Sequence, residues 1–173
     1  LYYSSNYSSW RSKLTNLLEK TGIILIKNEL LGSNAYVVPY EGNLAFVVDP
    51  PMSCDCTEQI FERLSVIPTH VFCTHGHFDH VGGVANLVKK YGAISVLHKA
   101  DIQTAKSANF LMMAYGIQDR IETPHFTNPV TGGEIFKLGE SELRIEHVPG
   151  HSKGSCFLFW GKILFSGDSL YSD

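Results

Sequence analysis

The sequence predicts one layered α/β domain in which sheets pack with helices. Three observations carry this. β-rich runs cluster towards both ends of the chain, and strand-like and helix-like runs alternate in its middle. A 173-residue chain with 44% hydrophobic and 18% charged residues also has apolar material for a sizeable core and is not the composition of a disordered segment.

The elements follow in order. Trp10, Leu14, Leu17 and Leu18 recur at helical spacing ahead of Gly22, which predicts a short amphipathic helix over residues 9–20. Ile23–Ile26, Tyr36–Val38 and Leu44–Val48 read as strands of a hairpin-like meander, separated by Gly32-Ser33-Asn34 and Glu41-Gly42-Asn43 and ended by Asp49-Pro50-Pro51. Ile60, Phe61, Leu64 and Ile67 form a helical stripe that stops at Pro68. Val71-Phe72-Cys73 reads as a buried strand, Val84, Leu87, Val88 and Tyr91 as a helix ended by Gly92, Ile94–Leu97 as a strand, and residues 101–115 as a further helix. Glu134–Phe136, Leu143–Val148, Cys156–Trp160 and Ile163–Phe165 return to β, with Gly139 and Gly161 at the turns. Residues 1–21 therefore read as an N-terminal extension with a short helix, and residues 22–173 as the folded domain.

Bulk properties narrow the function classes. A net charge of −3 argues against nucleic acid or an anionic membrane as the main partner. No apolar run approaches the roughly 20 residues that span a bilayer. The first residues, Leu1-Tyr2-Tyr3-Ser4-Ser5, show no signal peptide, and the expected location is cytoplasmic. A small-molecule substrate is the expected partner, and oligomeric state is left open. Four cysteines do not make a disulfide framework at this length. Cys73 and Cys156 lie in apolar runs and are expected as buried thiols, while Cys54-Asp55-Cys56 lacks the second pair of ligands that a closed zinc site needs.

The chemistry concentrates in Thr74-His75-Gly76-His77-Phe78-Asp79-His80, which follows an apolar strand. His75 and His77 are two apart, so in an extended segment both imidazoles face one side and can reach one cation. Asp79 and His80 are adjacent, so a turn there brings both to a neighbouring ion. Gly82-Gly83 lets the next helix start close by. One such histidine alone is more often a surface or core residue, but three with an aspartate at this spacing point to a metal. His151 in Val148-Pro149-Gly150-His151-Ser152 and Asp168 in Leu164-Phe165-Ser166-Gly167-Asp168 add metal-competent side chains at two further strand ends.

These residues together resemble the metallo-β-lactamase superfamily, and within it the glyoxalase II-like hydrolases. His75-Gly76-His77-Phe78-Asp79-His80 matches the HxHxDH signature, and His151 and Asp168 match the later Gly-His and Gly-Asp. The resemblance implies an αββα sandwich, with the order of elements agreeing from about Gly22 to Leu170. It implies His75, His77 and His151 on a first metal, Asp79 and His80 on a second, and Asp168 bridging the two. Asp49 matches a recurrent position near the site as a supporting group rather than a ligand. In the family a further His follows the bridging Asp well downstream, and the last strand and helix of the fold also come later. Either the natural chain continues past Asp173 or its second site is short of a ligand; the first is the expectation, and the leading Leu1 likewise suggests a start inside a longer chain.

The resemblance implies Zn²⁺, one or two per chain, with Fe or Mn as alternatives, and a hydrolase that uses metal-bound hydroxide as nucleophile. Asp79 or Asp168 would orient that nucleophile, with Asp79 expected as the catalytic group. A thioester suits such a site, because a thiol of pKa near 8.5 leaves without help from an acid. Two other readings stay open: a mono-iron persulfide dioxygenase, which shares the first-site ligands, and a non-catalytic metal-binding domain.

Remaining motifs have blander readings. Gly167-Asp168-Ser169-Leu170 spells the GDSL esterase signature, but no downstream His and Asp could complete a triad in the three residues that follow, so it is taken as chance. His70, His98, His125 and His147 are expected as surface or satisfied core residues. Phe110, Leu111 and Tyr115 could line a substrate mouth, with core packing the expectation.

Overall fold

The computed structural model describes residues 21–28, 31–52 and 55–170. The helix expected over residues 9–20 lies outside them. Two sheets stack face to face. The first contains β1 (Ile24–Lys27), β2 (Asn34–Glu41), β3 (Leu44–Val48), β4 (Ile67–Phe72), β5 (Ile94–His98) and β6 (Asn128–Val130), hydrogen-bonded in that order. Its first two pairings are antiparallel and the next three parallel. The second is an antiparallel meander of β7 (Ile135–Leu138), β8 (Ser141–His147), β9 (Cys156–Trp160) and β10 (Ile163–Phe165). The helices are α1 (Asp55–Leu64), α2 (Phe78–Val81), α3 (Val84–Tyr91), α4 (Ile102–Lys106) and α5 (Ala108–Ala114).

The first sheet is buried on both faces, which is why β3 reads as an unbroken apolar run, Leu-Ala-Phe-Val-Val. Ala45 and Val47 point to the helices, where they meet Phe61, Val84, Leu87 and Met112. Phe46 and Val48 point to the second sheet, where they meet Leu143, Leu158 and Phe165. Each fully buried side chain of this size contributes about 1.5–3 kcal/mol. Phe46 also packs edge-on against Phe72 and Trp160, tying the sheets together with aromatic contacts.

Several boundaries depart from the sequence pattern, and one strand, β6, is not marked in it. The stripe that included Ile67 ends earlier, because Ser65 turns into the left-handed region at φ 54° and the Ile67 amide bonds to the Asn43 carbonyl, starting β4. The single helix expected over residues 101–115 is two helices, broken at Ser107, preceded by a 3-10 turn at Lys99–Asp101. Asn109 then grips the following loop through both the amide and the carbonyl of Ile121. Phe110 and Tyr115 are not core residues, being 66% and 70% exposed; Met112 and the half-buried Leu111 are what α5 turns inward. β6 carries Pro129 and a polar flank. A proline is tolerated there because, among the described residues, β6 is an edge strand that pairs with β5 alone.

No helix among the described residues is long and apolar enough to cross a membrane.

Candidate metal centre

Every predicted site residue sits just beyond the C-terminal end of a strand, where the ladder stops and side chains can converge. Asp49 follows β3, His75, His77, Asp79 and His80 follow β4, His151 follows β8 and Asp168 follows β10. His77 is extended at φ −72° and ψ 150°, and α2 begins at the next residue, which turns Asp79 and His80 back under the histidine pair.

The side chains of His75, His77 and His151 meet. His75 Nε2 and His77 Nδ1 are 3.1 Å apart, His151 Nε2 and His75 Nε2 3.1 Å, and His151 Nε2 and His77 Nδ1 2.9 Å. Asp168 lies beside this triangle, with Oδ2 3.6 Å from His151 Nε2 and Oδ1 3.2 Å from His80 Nε2. His75, His80 and Asp168 form a second group with mutually close ligand atoms. Asp79 is nearest to His80, its Oδ2 3.4 Å from His80 Nε2.

Residues 28–173 match the family profile of the metallo-beta-lactamase superfamily. The chain belongs to that superfamily. Curated relatives include a hydroxyacylglutathione hydrolase of Pelagibacter ubique (strain HTCC1062), 30% identical over 138 residues that make up 79% of this chain and 50% of the relative. Another of the same name, from Buchnera aphidicola subsp. Schizaphis graminum (strain Sg), is 26% identical over 151 residues, 87% of this chain and 52% of the relative. The chain thus spans about half the length of these curated relatives. Among solved structures, TTHA1623 in a di-iron-bound form is similar with a TM-score of 0.74 at 31% identity, covering 86% of this chain and 73% of that one. The BLEG-1 B3 metallo-beta-lactamase is similar with a TM-score of 0.77 at 26% identity, covering 87% and 73%.

In this metallo-β-lactamase site the residues present fit a cation. Three ring nitrogens facing one another at about 3 Å cannot all be satisfied by hydrogen bonds among themselves, since each neutral ring has a single N–H. Their separations suit one ion bound at about 2.0–2.1 Å from each. His80 Nε2 is buried with no aligned hydrogen bond, despite the carboxylates beside it.

The surroundings set the tautomers. Asp49, in the left-handed region at φ 51°, accepts the Thr74 amide at 2.7 Å, the Thr74 hydroxyl at 2.7 Å and His80 Nδ1 at 3.0 Å. Asp49 is thus a support for the two motif residues. The Thr74 hydroxyl proton is committed to Asp49, so its oxygen accepts from His75 Nδ1 at 3.1 Å. That leaves the lone pair of His75 on Nε2, facing the triangle.

Charge follows the same logic. Burial first, then the neighbouring His80 and His77, push the His75 pKa down to about 2, which keeps its imidazole neutral. Burial and His151 push His77 down as well. For His80 burial acts in the same direction, but Asp49, Asp168 and Asp79 outweigh it and lift the pKa to about 12. Burial would raise Asp79, yet the close approach and charge of His80 hold its carboxyl below the usual carboxylate range.

Two groups near the site carry no motif in the sequence. Asp101, wholly buried in the 3-10 turn after β5, accepts hydrogen bonds from residues flanking both His77 and His151. His98 and His147 stack with ring centroids 3.9 Å apart, and His147 Nε2 donates to the Lys153 carbonyl in the loop of His151. The only hint in the sequence is that each falls at or just past a strand end. Gly167-Asp168-Ser169 forms a 3-10 turn that delivers Asp168 to the cluster.

Proposed function

We propose that this chain is the catalytic metal-binding part of a metal-dependent hydrolase that cleaves a thioester, in the manner of glyoxalase II. The observation that carries the proposal is the convergence of three histidine nitrogens beside a carboxylate that stands between two groups of ligand atoms.

In this reading His75, His77 and His151 hold a first ion, and His80, Asp79 and Asp168 offer a second position next to it. A bound divalent cation of the zinc type lowers the pKa of water to about 7 and polarises a carbonyl. The protein's own residues do the rest. Thr74 holds His75 in the tautomer that leaves Nε2 available, and Asp49 fixes the His80 ring through Nδ1 so that its Nε2 faces Asp79 and Asp168. Asp79, kept ionised by His80, and Asp168 give carboxylate oxygens to accept and orient a water proton. The side chains of His151 and Asp168 are each 26% exposed, so the cluster is reached from solvent on that side. A thiolate leaving group, with its thiol pKa near 8.5, needs no protein acid. The names of the hydroxyacylglutathione hydrolases support the thioester, and the di-iron form of a similar structure supports leaving the metal open between zinc, iron and manganese.

The test is S-acyl-glutathione cleavage by protein of measured metal content, beside His77→Ala. Thioester cleavage that tracks metal content and falls at least a hundredfold in His77→Ala supports the proposal. One iron per chain with oxygen uptake on a persulfide and no thioester cleavage overturns it, as does unchanged turnover in His77→Ala.

A further inference from the structure

We infer that Asp101 is the positioning residue of the first metal site, clamping the loop of His75 and His77 to the loop of His151 through one buried carboxylate. The inference rests on the metal-centre reading above and adds a residue to it.

The three histidines come from loops far apart in sequence, and the direct contacts among their rings do not hold the two backbones in register. Asp101 does. Its Oδ2 accepts the Gly76 amide at 2.9 Å, between His75 and His77, and the Ser152 hydroxyl at 2.5 Å, next to His151. Its Oδ1 accepts the Gly154 amide at 2.8 Å. Thus one rigid planar group, 0% exposed, takes three donors from two loops. Ser152 is itself fixed, since its oxygen is 2.8 Å from Ser155 Oγ, which also accepts the Ser152 amide at 2.9 Å.

The packing is as tight as the hydrogen bonding. A Cβ on Gly76 would come within 2.6 Å of the Asp101 carbonyl oxygen, and a Cβ on Gly154 within 2.7 Å of Asp101 Cγ. Neither glycine has the positive φ that usually explains a glycine, so close approach to Asp101 is the physical reason for both. The clamp is anchored from behind. His98 starts the 3-10 turn, with Nδ1 accepting the Ala100 amide and Nε2 donating to the Thr131 carbonyl. The donors to the Asp101 oxygens are the Gly76 and Gly154 amides and the Ser152 hydroxyl, so it acts through the loops that carry the histidines.

The consequence is specific to metal affinity and ligand geometry. In Asp101→Asn the shape is kept, but the NH₂ group cannot accept the Gly76 amide while the remaining oxygen keeps Gly154. Supports of this kind cost about 10- to 100-fold in metal affinity when lost. The experiment is a cobalt(II) titration of the full chain, followed by the visible d–d absorption and by chelator competition, in wild type, Asp101→Asn, Ser152→Ala and Val66→Ala. Asp101→Asn is expected to bind cobalt about 10- to 100-fold more weakly with an altered band. Ser152→Ala, which removes one of three donors, moves the same way by less. Val66→Ala, a core change away from the site, lowers the melting temperature and leaves the band in place. If Asp101→Asn does not fold, Ser152→Ala decides. Wild-type affinity and band in the folded variants overturn the inference while leaving the metal centre intact. Failure of the wild-type chain to take up cobalt overturns the metal-centre reading and this inference with it.

Discussion

The Thr74 hydroxyl sits 3.1 Å from His75 Nδ1 and accepts from it, because its own proton is donated to Asp49 at 2.7 Å. One buried hydroxyl therefore decides which nitrogen of His75, the ring whose Nε2 faces His77 and His151, carries hydrogen. Thr74→Val keeps the shape and removes that acceptor, leaving two buried polar groups short of a partner. The expected cost is about 1–3 kcal/mol of stability, together with weaker metal binding. Thr74→Ser restores both. Denaturant unfolding beside a metal titration checks this; a Thr74→Val chain as stable and as tightly metallated as the wild type would refute the tautomer argument.

Metal removal should cost stability by mass action. With free ion at about 100 times its dissociation constant, a site absent from the unfolded chain adds about 2.7 kcal/mol. In a chain of this size that corresponds to roughly 5–10 °C in melting temperature. A chelator titration followed by differential scanning calorimetry measures it. A melting temperature indifferent to chelator and to added zinc, iron or manganese would count against a resident ion.

Gly167 should not tolerate a side chain. It has φ 51°, and a Cβ there would come within 2.8 Å of Thr74 Cβ. Gly167→Ala is expected to destabilise by more than about 1 kcal/mol and to displace Asp168 from between His80 and His151. The measurement is thermal unfolding with metal stoichiometry. Loss of stability with the wild-type metal stoichiometry retained would separate the backbone effect from the positioning of Asp168.

Two buried thiols should be inert and pH-sensitive. Burial pushes Cys156 up to about 12, and pushes Cys73 well above the ordinary thiol value. Both should react with a thiol reagent at pH 8 only after unfolding. The sign of the linkage is fixed. Between the unfolded value near 8.5 and the folded value, the unfolded chain holds fewer protons, so stability falls as pH rises, by up to about 1.4 kcal/mol per unit and per thiol. Between pH 9 and pH 11 the wild type should lose more stability than Cys156→Ala; equal slopes would contradict the burial argument.

The sequence by itself determined the elements whose cause is local. The alternation of Leu44–Val48 between two cores needs only the period of a strand, and the helix at Val84–Tyr91 needs only its apolar spacing and Gly92 at φ 68°. The metal motif is legible for the same reason: His75, His77, Asp79 and His80 lie within six consecutive residues, so chain geometry alone keeps them together. Tertiary structure decided what depends on distant partners. β6 exists because Asn128–Val130 finds the edge of β5, although Pro129 argues against a strand locally. Phe110 and Tyr115 face outward because α5 is a new helix after Ser107, with its own inward side. Asp101 bonds to Gly76, 25 residues before it, and to Gly154, 53 residues after it. A carboxylate satisfied across such separations has no pattern in the chain. Its partners are assigned only when the stacking of the two sheets brings the ends of β4, β5 and β8 to one end of the sandwich, where burial leaves a polar group no alternative to the donors around it.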